Sequence, residues 1–147
     1  MKDIKKIVCA LDLSPHSAQV AEYTVTLAKA LDADVLVVYV APVLTQYLGL
    51  NVDSNSIDHF AAEIVTGAEK NMREFVELHF KDIRAEAKVL TGYASEEILA
   101  VAQSAGANLI VMGTHGHKGI DRIIFGSVAE QIVKSSPIPV LTVRPEN

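Results

Sequence analysis

The stretch Asn108-Leu109-Ile110-Val111-Met112-Gly113-Thr114-His115-Gly116-His117-Lys118-Gly119-Ile120-Asp121-Arg122-Ile123-Ile124-Phe125-Gly126-Ser127 decides the architecture. It opens on a strand-length run, Leu109–Met112, that is apolar at successive positions. A strand with both faces apolar belongs inside a parallel sheet covered on both sides. Glycines follow at once, and they let a backbone take unusual angles and approach a ligand closely. A flavodoxin-like sheet would carry its phosphate loop after the first strand; here the glycines follow the fourth.

Working back toward the amino end, the same kind of run recurs. Ile4–Leu11 and Val35–Val40 are apolar and rich in Val and Ile. Ile83, Ala85, Ala87 and Val89 alternate with Arg84, Glu86 and Lys88, which predicts a third strand with one wet face, suited to a sheet edge. Between the strands lie helical stretches. Ser14-Pro15 supplies an N-cap and a first-turn proline for a helix to about Leu31. Ala41 to about Ile57, with Pro42, Gly49, Asn51, Asp53 and Asn55, reads as a loop. A helix then spans about Ile57 to Phe80, weakened at Gly67 by roughly 1 kcal/mol relative to Ala. Ser95, followed by Glu96 and Glu97, caps a third helix that ends near Gly106.

Toward the carboxyl end, Ser127-Val128-Ala129-Glu130 is a capping box and predicts a last helix from Ser127 to about Ser135. Val140–Val143, bracketed by Pro139 and Pro145, predicts a fifth strand at the other edge. The alternation of strands and helices defines an α/β domain with a five-stranded parallel sheet, helices on both faces and strand order 3-2-1-4-5.

The 147 residues favour one domain, 1–147, and half of them are hydrophobic, enough for a core. The net charge of −5 argues against a nucleic-acid partner and against an anionic membrane surface. The amino-terminal run is charged and lacks the apolar stretch of a signal peptide, and Val35–Leu44 is too short to span a bilayer and contains Pro42. A cytoplasmic protein is expected. Cys9, alone in its type, sits in an apolar run and reads as a small buried hydrophobe.

In such a sheet, ligands bind beyond the carboxyl ends of the strands where the winding reverses, here between strands 1 and 4. Asp12 follows strand 1 and Gly113 follows strand 4. A helix beginning at Ser127 would offer unpaired amide N–H groups and a positive dipole end, which favour phosphate. The loop is not a Walker P-loop, lacking Gly-Lys-Ser/Thr, and no dinucleotide fingerprint follows strand 1. His115 and His117, without a nearby Cys or carboxylate pair, make only a weak metal site. His117, Lys118 and Arg122 either offer positive charge and donors to phosphates or are solvated loop residues.

Gly113-x2-Gly116-x9-Gly126-Ser127, with its flanks Asn108–Gly116 and Gly126–Glu130, resembles the ATP-binding signature of the universal stress protein family. Ala10-Leu11-Asp12-Leu13-Ser14 resembles that family's first strand and turn, and Ser136–Arg144 its ending. The likeness covers essentially the whole chain, least so at Leu44–Asn55. It implies a Rossmann-like fold of the adenine nucleotide alpha hydrolase type and a homodimeric regulatory module of stress response that binds ATP. Asp12 and the backbone of Val40 would serve the adenine end, beside Ala10 and Leu11. Gly113, Gly116, His117, Gly126, Ser127 and Val128 would hold ribose and phosphates, with Met112 lining the pocket. Mg²⁺ would arrive with the ATP phosphates rather than on protein ligands.

Two other functions compete with a binding module. A slow ATP hydrolase would need groups to orient water and stabilise charge at the γ-phosphate, roles open to Asp12, Lys118 or Arg122, yet no paired carboxylates or activated nucleophile compel it. An interaction protein with a vestigial pocket would not need the intact glycines. The exposed apolar strand Val140, Leu141, Thr142, Val143 invites pairing with a second copy about a two-fold axis. A protein partner that reads the nucleotide state is also implied.

Overall fold

The computed structural model describes residues 3–41, 54–114 and 121–145. Along the chain run β1 (Lys6–Leu11), α1 (Ser17–Leu31), β2 (Asp34–Ala41), α2 (Ser54–His79) and β3 (Ala85–Thr91). Then come α3 (Ala94–Ser104), β4 (Leu109–Gly113), α4 (Asp121–Ser135) and β5 (Val140–Val143). The strands pair in parallel in the order β3-β2-β1-β4-β5.

The apolar-throughout strands are explained by two cores, one on each face. Ile7, Cys9 and Leu11 of β1, Val35 and Val37 of β2 and Val111 of β4 pack with Val20, Ala21 and Ala28 of α1 and Met72 of α2. The alternate residues Val8, Ala10, Leu36, Val38, Ile110 and Met112 pack with Ile98, Val101 and Ala102 of α3 and Ala129 and Ile132 of α4. Successive side chains of a strand face opposite ways, so a strand sandwiched between helices has no position free to be polar. Among the described residues β3 has β2 as its one neighbour strand. Ala85, Ala87 and Val89 pack on the first core while Glu86 and Lys88 remain exposed, as edge geometry requires.

Helix starts depart from the sequence expectation in three places. Ser14 does not cap α1; its Oγ accepts from the His16 amide at 3.2 Å and its carbonyl accepts from the Ser17 amide at 3.0 Å. That makes a separate turn, and α1 begins at Ser17. Ser95 does not cap α3 but lies inside it, 8% exposed, with extended Tyr93 at the cap position. Ser127 does not open α4, which starts at Asp121. A capping box is worth only about 1 kcal/mol. Continuing the helix back through Arg122–Phe125 gains a backbone hydrogen bond per residue and outweighs the roughly 1 kcal/mol cost of Gly126 within a helix. The expected loop between β2 and α2 falls largely on 42–53, outside the described residues.

Cys9 has no exposed surface and accepts a hydrogen bond from Thr24 Oγ1 at 3.3 Å. Burial pushes its thiol up to about 12 from an ordinary 9.0, with the Thr24 bond pulling weakly the other way. Folding therefore favours the protonated thiol. That contribution is whole below about pH 9 and is lost as pH rises toward 12. We expect a disulfide reagent at pH 8 to leave the native thiol untouched and to titrate it stoichiometrically in denaturant. Rapid native reaction would contradict its burial.

Candidate functional site

The sheet register brings the expected site residues to one level. Ala10 pairs with Met112, and one residue later Leu11 and Gly113 end β1 and β4. Leu11 pairs with Tyr39, so Asp12 stands level with Val40. Asp12, Val40 and Gly113 thus lie across the carboxyl ends of β2, β1 and β4. Two strand spacings, about 10 Å, separate the outer pair, a span comparable to a nucleoside. Residues 28 to 101 positions apart in sequence meet because the winding reverses between β1 and β4.

Asp12 is held by its own turn. Its Oδ1 accepts from the Ser14 amide at 3.0 Å and from Ser17 Oγ at 3.2 Å. Ser14 and Ser17 are 6% and 2% exposed, so both donors are locked beneath the surface. The first bond, from an amide two residues on, is an Asx-turn. Leu13 between them has φ 59°, a left-handed conformation that costs a non-glycine residue about 1–2 kcal/mol. Strain of this kind persists only where neighbours enforce it, and it clusters at ligand sites. Neither Ser14 nor Ser17 was singled out as a positioning group from sequence; the spacing Asp12-x-Ser14-x-x-Ser17 was the available signal.

The other expected residues fall into three groups. Ala10, Leu11 and Met112 have side chains in the cores, at 1%, 4% and 0% exposure, and form the floor under the strand ends. Val40 is half-buried and Gly113 buried at the rim, while Ser127 is exposed and Val128 half-buried on α4. Gly126 lies within α4, whereas Gly116 and His117, with His115 and Lys118, lie outside the described residues. Because α4 begins at Asp121, the Ser127 amide lies beyond the first turn. The anion argument from free N–H groups at Ser127 therefore does not stand; those groups belong to the turn that starts at Asp121.

Thr114, just past β4, donates its amide to the Val143 carbonyl at 3.1 Å and so ties the start of the glycine segment to the end of β5. At the opposite, amino edge, Asn108 Oδ1 accepts from the amides of Lys5 and Lys6 at 2.8 and 3.0 Å, clamping β1 to the entry of β4. That edge also carries a depression of about 180 Å³ lined by Lys29, Asp32, Asp82 and Arg84. Arg84 there is engaged by Asp32 and Asp34, which hold its guanidinium charged. Among the described residues no three His, Cys, Asp or Glu gather as a metal site, and no helix is long and apolar enough to cross a membrane.

A five-stranded parallel sheet of this order, with helices on both faces, is a Rossmann-like fold. The model of the universal stress protein family matches residues 3–144, and the chain belongs to that family. Universal stress protein MJ0531 of Methanocaldococcus jannaschii is 36% identical over 142 residues, covering 95% of this chain and 82% of the relative. MJ0577 of the same organism is 30% identical over 157 residues, covering 97% and 96%.

The solved structure of MJ0577 superposes with a TM-score of 0.82 at 21% identity over 99% of each chain. A universal stress protein in complex with cAMP matches at 0.67 and 18% identity, covering 97% and 98% of the two chains. The Archaeoglobus fulgidus universal stress protein in complex with dAMP matches at 0.57 and 21%, with the same coverage. At these identities the structural likeness carries the fold.

Proposed function

We propose that this chain is a cytoplasmic ATP-binding regulatory module that holds an adenine nucleotide across the carboxyl ends of β2, β1 and β4. The carrying observation is the Asp12 carboxylate, pinned by Ser14 and Ser17 at the winding reversal and level with Val40 and Gly113. Asp12 and the Val40 backbone take the adenosine end. Gly113, Gly116 and Gly126 give the phosphates room, and the exposed Ser127 hydroxyl, with His117 and Val128, lines their path. Mg²⁺ travels with the phosphates, since the ion keeps waters and needs few protein ligands. The cAMP and dAMP complexes of two family members lend support to an adenine nucleotide as the ligand class.

The test is calorimetric titration of nucleotide-stripped protein with ATP and Mg²⁺, followed by chromatography of the mixture. Saturable one-to-one binding with ATP recovered intact is the expected result. Steady ADP release would make the protein a slow hydrolase, and no binding would remove the nucleotide reading.

The module works as a homodimer through β5. Among the described residues that strand has a neighbour on one side only, and Leu141 is 37% exposed on it. An open apolar edge pairs readily with its own copy. Leu141→Glu is expected to convert dimer to monomer in analytical ultracentrifugation at micromolar protein; an unchanged dimer would place the interface elsewhere.

A further inference from the structure

On the nucleotide reading just given, we infer that Tyr93 is a specificity-determining residue of the same site, one that stacks on the purine base. β3 ends at Thr91, which pairs with Ala41, the residue after Val40. The ladder continues one step, with the Gly92 amide donating to the Ala41 carbonyl at 3.3 Å. Tyr93 follows as the extended residue ahead of α3. It therefore stands at the carboxyl edge of the sheet, beside the end of β2. A base held from β1 and β2 is within two strand spacings, about 10 Å, of that position.

Nothing in folding accounts for this side chain. Tyr93 is 57% exposed, and among the described residues its side chain makes no ring contact, hydrogen bond or ion pair. The other large exposed apolar residues, Tyr23, Leu78, Val133 and Leu141, lie within α1, α2, α4 and β5. Tyr93 alone among them occupies a connection at the carboxyl edge.

Its backbone is nonetheless firmly placed. Gly92 has φ 140°, a conformation comfortable only for glycine, and a Cβ there would meet Glu97 Cγ and Oε1 at 2.8 Å. The Glu97 amide donates to the Tyr93 carbonyl at 2.9 Å, closing the turn against α3. An unusual backbone angle, a side chain folded over it and a water-exposed aromatic at the end combine as a rigid mount for a ring. Order at such a position pre-empts part of the entropy that binding would otherwise lose.

An aromatic ring on a base contributes about tenfold or more in affinity and tolerates any base with a π-face. Tyr93 thus sets a preference for nucleotides over bare phosphates, independent of phosphate number, while Asp12 and Val40 read the edge of the base and sugar.

The experiment compares the full-length protein with Tyr93→Ala and Tyr93→Phe by titration with ATP, AMP and inorganic triphosphate, each with Mg²⁺. Tyr93→Ala is expected to weaken ATP and AMP by the same factor of about ten, to leave triphosphate unchanged, and to keep the native circular dichroism of an exposed substitution. Tyr93→Phe retains wild-type affinity. Fluorescence gives an independent signature, because the chain has four tyrosines and no tryptophan. ATP quenches tyrosine emission in the wild type and quenches it much less in Tyr93→Phe. Unchanged ATP affinity in Tyr93→Ala, or equal quenching in Tyr93→Phe, overturns the stacking role while leaving the nucleotide site in place. A wild type that takes up neither ATP nor AMP overturns the nucleotide reading itself, and the stacking role with it.

Discussion

Asp12→Ala is expected to lower the affinity for ATP, ADP and AMP by the same factor, about a hundredfold or ~2.7 kcal/mol. Two losses add. The ligand loses a charged acceptor at the adenosine end, and hydrogen bonds to charged groups are worth about 1.5–3 kcal/mol. The turn also loses its anchor, because Ser17 Oγ and the Ser14 amide both donate to Asp12 Oδ1. Ser17 is only 2% exposed, so its hydroxyl is left buried without that acceptor. The left-handed Leu13 then has less to hold it in place.

Asp12→Asn separates these effects, because it keeps an acceptor oxygen for both donors. Its affinity is expected to fall between wild type and the alanine variant. Calorimetric titration with each nucleotide checks the prediction. A loss confined to ATP would move Asp12 to the phosphates, and an unchanged affinity in a folded Asp12→Ala would remove it from the site.

Ile110→Ala is expected to destabilise the protein by about 4 kcal/mol. Ile110 has no exposed surface and sits in the central part of the sheet, paired with Val8 on β1 and Val140 on β5. Its side chain packs in the core shared with α3 and α4. Truncation there removes apolar burial and leaves a cavity that the flanking strands cannot close without breaking their ladders. Against a usual domain stability of 5–15 kcal/mol, this is a large fraction. Urea unfolding followed by far-ultraviolet circular dichroism measures it. A shift in midpoint with unchanged slope is expected, and a loss under about 1 kcal/mol would show that the site collapses around the smaller residue. Saturating ligand should restore part of the loss by mass action, which links the two predictions in one assay.

Much of the fold could be read along the chain because sandwiched strands and packed helices impose different periods. Ile7–Leu11, Val35–Val38 and Leu109–Met112 are apolar at every position because both sheet faces are covered, and the two cores divide them by parity. The alternation of Ala85, Glu86, Ala87 and Lys88 marked β3 as an edge for the same reason. Helix starts were less legible. Ser14, Ser95 and Ser127 each have the chemistry of a cap, yet a cap is a local preference of about 1 kcal/mol that longer-range structure overrides. At Ser14 the competing demand was the Asp12 turn; at Ser95 the helix begins one residue earlier and buries the serine.

What the sequence determined alone was the class: strands of a covered parallel sheet, glycines after the fourth of them, and Asp12 after the first. These are one-dimensional signals, because hydrophobic period and glycine position act on the chain locally. What only the tertiary structure decided was the company each residue keeps. The level shared by Asp12, Val40 and Gly113 depends on the register of β1 with β2 and β4. The grip of Ser14 and Ser17 on Asp12 needs the turn to be closed by the packing of α1. The place of Tyr93 beside the end of β2 follows from Gly92 extending the β3 ladder. Such contacts join residues distant in sequence, and their energies exist only once the sheet has formed.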